Sequence, residues 1–202
     1  MPGLDGGNYR VKVTSMKEAK TLTTMLQKYD FSCGSAAVAT LLTHHYGYPV
    51  DEQLVFEQMY ARGDQKKIQQ EGFSLLDMKN FLDARGFRAD GFEQPLEKLA
   101  EANVPAIVLI TENGYHHFVV VKGVSAERVL IGDPANGTRA MARADFDQRW
   151  RNKILFVIHN HMDSASFNLA SDWRVAPRGP LADGAARSMS VVGLPKFGPG
   201  DF

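Results

Sequence analysis

The stretch Gln27-Lys28-Tyr29-Asp30-Phe31-Ser32-Cys33-Gly34-Ser35-Ala36-Ala37 holds the only cysteine of the chain, at the point where a polar loop gives way to a helical run. Residues 33 to 45 (CGSAAVATLLTHH) carry small and aliphatic side chains on a helical period and are followed by Gly47 and Pro49. That pattern predicts a buried helix with a defined stop. A lone cysteine is more often a small buried hydrophobe than a reactive group. Its position here points the other way, because the free N–H groups and dipole of a helix N-terminus favour a thiolate. Gly34 reads as a point where a substrate carbonyl approaches the backbone closely. Cys33 is therefore read as a nucleophile.

A thiolate nucleophile works beside an imidazole that is itself oriented by a third group. Outward from Cys33, the residues that suit those roles are His117 and Asp133. His117 starts the apolar run Phe118-Val119-Val120-Val121, and Asp133 ends the run Val129-Leu130-Ile131, with a short turn between them. Adjacent antiparallel strands would bring the two side chains together. Pro134 keeps Asp133 extended and prevents a helix from starting there. Gln27, six residues before Cys33, is the candidate for a side-chain N–H directed at a developing oxyanion, beside the Cys33 backbone amide.

The rest of the chain supplies the frame. Further helices are predicted from Val50-Asp51 through Tyr60, from Ser74 (capped with Asp77) to Gly86, and from Pro95 through Ala102, while 61 to 72 reads as an exposed loop. From residue 105 the pattern becomes β-type: 106 to 111, 117 to 124, 128 to 131 and 154 to 158. Glu112-Asn113-Gly114 and Ser125-Ala126-Glu127 are read as hairpin turns. Helices first and strands second predict an α+β domain, N-terminal helices packed on a C-terminal antiparallel sheet. The expected organisation is an N-terminal extension (1–20), one catalytic domain (21–159) and an irregular tail (160–202) that holds four of the nine prolines.

These blocks resemble the C39 peptidases, papain-like cysteine enzymes that remove leaders from bacterial peptides after a double-glycine site. The resemblance rests on the Gln27 to Ala37 block, on His117 with Phe118 and the valines, and on Asp133-Pro134-Ala135-Asn136-Gly137. It spans roughly Gln27 to Ile158. It implies a papain-like fold, Cys33 as nucleophile, His117 as base and acid, Asp133 as its orienting group and Gln27 in the oxyanion site. No cofactor or metal is implied. The expected partner is a peptide or protein with a Gly-Gly-type site. The Tyr-Asp-Phe-Ser-Cys-Gly block is further similar to stand-alone proteobacterial members, peptidases of functional-amyloid operons among them. That likeness implies a periplasmic location and secretion or amyloid-assembly partners.

Other readings stand beside this one. A slip of one residue would exchange His116 for His117. All six histidines fall in close pairs, His44-His45, His116-His117 and His159 with His161, which suggests metal binding. Adjacent residues point apart, however, and only His159 and His161 would share a strand face. A module that binds leaders without cutting them, or an acyl transferase with the same triad, would keep the fold. Leu4-Asp5-Gly6-Gly7 is read as a flexible N-terminal linker, with a self-processing site as the alternative. Composition excludes more than it selects. Lysine plus arginine (23) balance aspartate plus glutamate (23), so a nucleic-acid partner is not expected, and no apolar run reaches bilayer length.

Overall fold

A computed structural model of the protein describes residues 14–176. The Leu4 to Gly7 segment and residues 177–202 lie outside the described residues. The chain begins with a short helix, α1 (Met16–Thr21), closed by a capping box between Ser15 and Glu18. The predicted buried helix follows as α2 (Cys33–Thr40), all eight residues buried, and continues into a π-helical turn, Leu41–His45. Only small side chains let a helix sit this deep between other elements. Gly47, at φ +63°, turns the chain after it.

Helix α3 (Glu52–Arg62) starts on Asp51, which accepts from the Leu54 N–H at 2.8 Å. The segment expected as a loop instead forms α4 (Gln65–Glu71). Asp64 caps it by accepting from the Lys66 and Lys67 N–H groups, and Ile68 is its single buried anchor. One apolar residue in seven leaves no periodicity to read, which is why the sequence showed only polarity. Helix α5 (Leu75–Asp83) has the expected Ser74–Asp77 capping box.

Six strands follow: β1 (Ala89–Glu93), β2 (Ala106–Glu112), β3 (Tyr115–Val124), β4 (Arg128–Asp133), β5 (Gly137–Ala142) and β6 (Ile154–Ile158). They form one antiparallel sheet in the order β1-β6-β2-β3-β4-β5. Helix α6 (Glu97–Ala102) precedes β2, and α7 (Arg143–Arg149) connects β5 to β6. The β2–β3 hairpin turns on Asn113 and Gly114, both at positive φ, as the asparagine–glycine pair predicts. The two edge strands, β1 and β5, were not legible in the sequence. Four of the five residues of β1 escape full burial, so it carries no apolar alternation.

Strand alternation gives the sheet a core on each face. Phe118, Val120, Phe156 and Ile158 pack with α2, α3 and α5. Val119, Val121, Leu155 and Val157 pack on the opposite side with Leu99 of α6, Phe146 of α7 and Trp150. A strand covered on both faces needs a continuous apolar run, and Phe118-Val119-Val120-Val121 supplies it. Full burial of each such side chain contributes about 1.5–3 kcal/mol.

Residues 160–176 do not form the irregular appendage expected of the tail. They cross the sheet and end in α8 (Ala170–Arg174), anchored by Phe167 in the second core and by the buried Asp172. Asp172 pairs at 3.1 Å with Lys122, a lysine with no exposed surface at a β-bulge in β3. Lys122 also donates to Thr23 O, Thr23 Oγ1 and Thr138 Oγ1 at 2.8, 2.7 and 3.1 Å. This cluster joins both ends of the described chain to the sheet.

Candidate active site

Cys33 is the first residue of α2 and is 7% exposed. Ser32, at the N-cap, does not cap the helix with its side chain. Its hydroxyl closes the preceding loop, accepting from the Tyr29 N–H at 3.1 Å and donating to the Tyr29 carbonyl at 3.0 Å. The first-turn N–H groups, that of Cys33 among them, thus have no side-chain acceptor at the cap. Gly34 is required by packing as well. A Cβ there would lie 2.9 Å from Phe73 Cβ and 3.2 Å from Met78 Cε.

Strands β3 and β4 bring the other two residues together as expected. His117 Nε2 lies 2.8 Å from Asp133 Oδ1, and the imidazole is also near enough to Cys33 to feel its charge. With Nε2 on the carboxylate, Nδ1 is the ring nitrogen left for the sulfur. His116 is not part of this arrangement. Its Nδ1 is 3.2 Å from Thr111 Oγ1 on the hairpin surface.

Asp133 is entirely buried and its carboxylate is saturated. Oδ1 accepts from His117 and from the Ala135 N–H at 2.8 Å, and Oδ2 accepts from Asn136 Nδ2 at 3.0 Å and Arg139 Nε at 2.9 Å. Burial alone would push this carboxyl up, but the donors, led by His117 and Asn136, hold it well below the usual carboxylate range. Burial would likewise push His117 down. Asp133 and Cys33 outweigh that and hold the imidazole up to about 9, so it is charged at neutral pH.

Gln27 is tied to the same turn through its backbone, its N–H donating to the Pro134 carbonyl at 2.9 Å. Its side chain points into its own loop. Nε2 donates to the carbonyls of Tyr29 and Asp30 at 3.0 and 3.3 Å, and Oε1 is buried without a partner. An open cleft of about 890 Å³ extends from His117, lined by Lys20, Asp30, Tyr115, Asn136 and Arg139 among others.

The remaining histidines are dispersed. His45 is buried against the Ser166 carbonyl, His159 bonds Asp90, and His161 packs on Phe87. Sequence reasoning did not reach Asn136 or Arg139 as partners of Asp133. Asn136 stood within the quoted turn, three residues on, where an asparagine folds back readily. Arg139 lies on an edge strand that left no pattern.

The Peptidase C39 family model matches residues 21–162. A relative from Pseudomonas aeruginosa, described as probable functional amyloid protease FapD, is 40% identical over 80% of this chain and 72% of its own length. The corresponding protein of Pseudomonas fluorescens is 38% identical over 82% and 73%. Among solved structures, the peptidase domain of Streptococcus ComA superposes with a TM-score of 0.56 at 19% identity, covering 66% of this chain and 95% of that one. A double glycine motif protease from an AMS/PCAT transporter, solved with its leader peptide, gives 0.54 at 24% identity over 66% and 88%. At these identities the two structures speak for the papain-like fold alone.

Proposed function

The chain belongs to the C39 peptidase family and is a cysteine peptidase, and on that premise we propose that it is an endopeptidase cutting after a double-glycine-type site through Cys33, His117, Asp133 and Gln27. The observation that carries the assignment is the imidazole of His117, held through Nε2 on the buried Asp133 and electrostatically coupled to Cys33 at the start of α2.

In this mechanism the Cys33 thiolate, paired with the His117 imidazolium, attacks the scissile carbonyl. The oxyanion that forms is met by the Cys33 backbone N–H and by the Gln27 side-chain amide. Substrate entry has to draw that amide away from a loop carbonyl. His117 then gives its proton to the leaving amine, which departs and leaves a thioester on Cys33. Water attacks the thioester as His117 takes a proton back, and Asp133 holds the ring throughout.

Double-glycine specificity follows from the resemblance of the Gln27 to Ala37, His117 and Asp133 blocks to C39 peptidases, and the name of the Pseudomonas relatives, functional amyloid protease, supports an amyloid-related substrate; a periplasmic location is part of the same proposal. Among the described residues no helix is long and apolar enough to cross a membrane. The test is cleavage of a double-glycine leader peptide by the parent protein, Cys33→Ala and His117→Ala. Cleavage after the second glycine, lost in both variants, is expected. Tight binding of the peptide without turnover would overturn the reading in favour of a leader-binding module.

A further inference from the structure

Beyond Asp133 the polar contacts continue as a chain of alternating charge drawn from three further elements. Arg139 of β5 donates Nε to Asp133 Oδ2 at 2.9 Å and Nη2 to Glu112 Oε2 at 2.7 Å. Glu112, at the end of β2, accepts from Arg149 Nη1 of α7 at 3.0 Å on its other oxygen. Both Arg139 and Glu112 are mostly covered, their side chains 23% and 29% exposed, so solvent screens the chain only in part.

The chain bears directly on the chemistry assigned to His117. A carboxylate that shares its charge with a guanidinium is a weaker partner for an imidazolium than one that does not. Arginine cannot relieve this by losing a proton. In the proposed mechanism His117 must release its proton to the leaving amine, and an imidazolium that holds its proton too tightly is a poor acid. Glu112 acts in the opposite sense by drawing part of the Arg139 charge away from Asp133.

We propose that Arg139 and Glu112 are positioning residues that set the proton affinity of His117 through Asp133, Arg139 lowering it and Glu112 raising it. This inference rests on the assignment of His117 as acid and base. Among the described residues the other charged or titratable groups around the ring are Cys33 on α2, His116 and Tyr115 on β3, Lys20 on α1 and Asp30 in the loop before α2. None of them contacts the Oδ2 side of Asp133, where Arg139 sits.

The test compares the full-length parent with Arg139→Met, Arg139→Lys and Glu112→Gln. The readouts are the basic limb of kcat/KM on a double-glycine peptide and the pH profile of Cys33 alkylation by iodoacetamide, which as the sole cysteine reports alone. Arg139→Met should move the His117 inflection up by about one pH unit and Glu112→Gln should move it down, with Arg139→Lys close to the parent. A loss of rigidity alone would not shift the two in opposite directions. Kcat should fall several-fold in Arg139→Met with KM little changed.

Unmoved inflections, shifts of the same sign, or a rise in KM alone would overturn the proposal; the last would make Arg139 a substrate contact in the cleft. Because alkylation needs no substrate, it decides the question even if no double-glycine peptide is cut. Should Arg139→Met fail to fold, Glu112→Gln and Arg139→Lys still carry the comparison.

Discussion

His117 carries two opposing influences, and their balance sets the pH behaviour of the site. Its pKa is raised from 6.5 to about 9 because Asp133 and Cys33 outweigh the cost of burial. Stability from these contacts is fully present below about pH 6.5 and is lost as the pH rises through about 9. Asp133 is depressed, so its share is present above its ordinary 3.8 and lost only in strong acid. Urea midpoints should therefore fall between pH 7 and 10 in the parent, and that slope should flatten in His117→Ala. Asp133→Asn removes the partner that holds the proton on the ring. We expect kcat/KM to drop by about 10²–10⁴-fold, as for other triads that lose the orienting group, with the basic limb moved below its parent position. An unchanged limb would show that Asp133 is not what raises His117.

At the scale of elements, α2 is held by how closely it fits its neighbours. Gly34 lies against Phe73 and Met78, where a Cβ would come within 2.9 Å of Phe73 Cβ. Gly34→Ala would gain helix propensity of up to about 1 kcal/mol in an open site. Here overpacking costs about 1–3 kcal/mol, and the net result should be a less stable protein with Cys33 displaced at the helix start. Urea denaturation together with the Cys33 alkylation rate checks both effects. Helix α4 and strands β1 and β5 show why elements escape a reading of the sequence. Helix α4 and strand β1 each bury a single side chain, so neither a 3.6 nor a 2.0 period emerges from residues such as Gln65 to Glu71.

For the molecule as a whole, the buried Lys122–Asp172 pair ties the segment after β6 and the segment leading to Gln27 onto β3. Asp172 also accepts from Thr23 Oγ1 at 2.8 Å, so both carboxylate oxygens are engaged. Removing one partner leaves a charge buried and unpaired, and Asp172→Ala should cost about 3–5 kcal/mol. Replacing both, as Lys122→Met with Asp172→Leu, should be much milder, since the pair itself sets its attraction against its desolvation. A double-mutant cycle in urea decides this. A double variant as unstable as Asp172→Ala would place the stabilisation in Phe167 and Trp173 rather than in the charges.

Much of the candidate site was legible before any coordinates. Cys33 at a helix start, His117 before an apolar run and Asp133 before a proline each announce a local geometry through immediate neighbours. Local geometry is what sequence determines, and the same holds for the Asn113-Gly114 turn, the Ser74–Asp77 cap and the central strands, whose burial imposes a pattern. Only the tertiary structure decided which side chains meet across distance: Arg139 and Glu112 behind Asp133, Phe73 against Gly34, and Asp172 on Lys122. The Lys122–Asp172 contact joins residues 50 positions apart, 172 less 122. Each such contact depends on the packing of whole elements, and one residue alone at each end leaves no period to read.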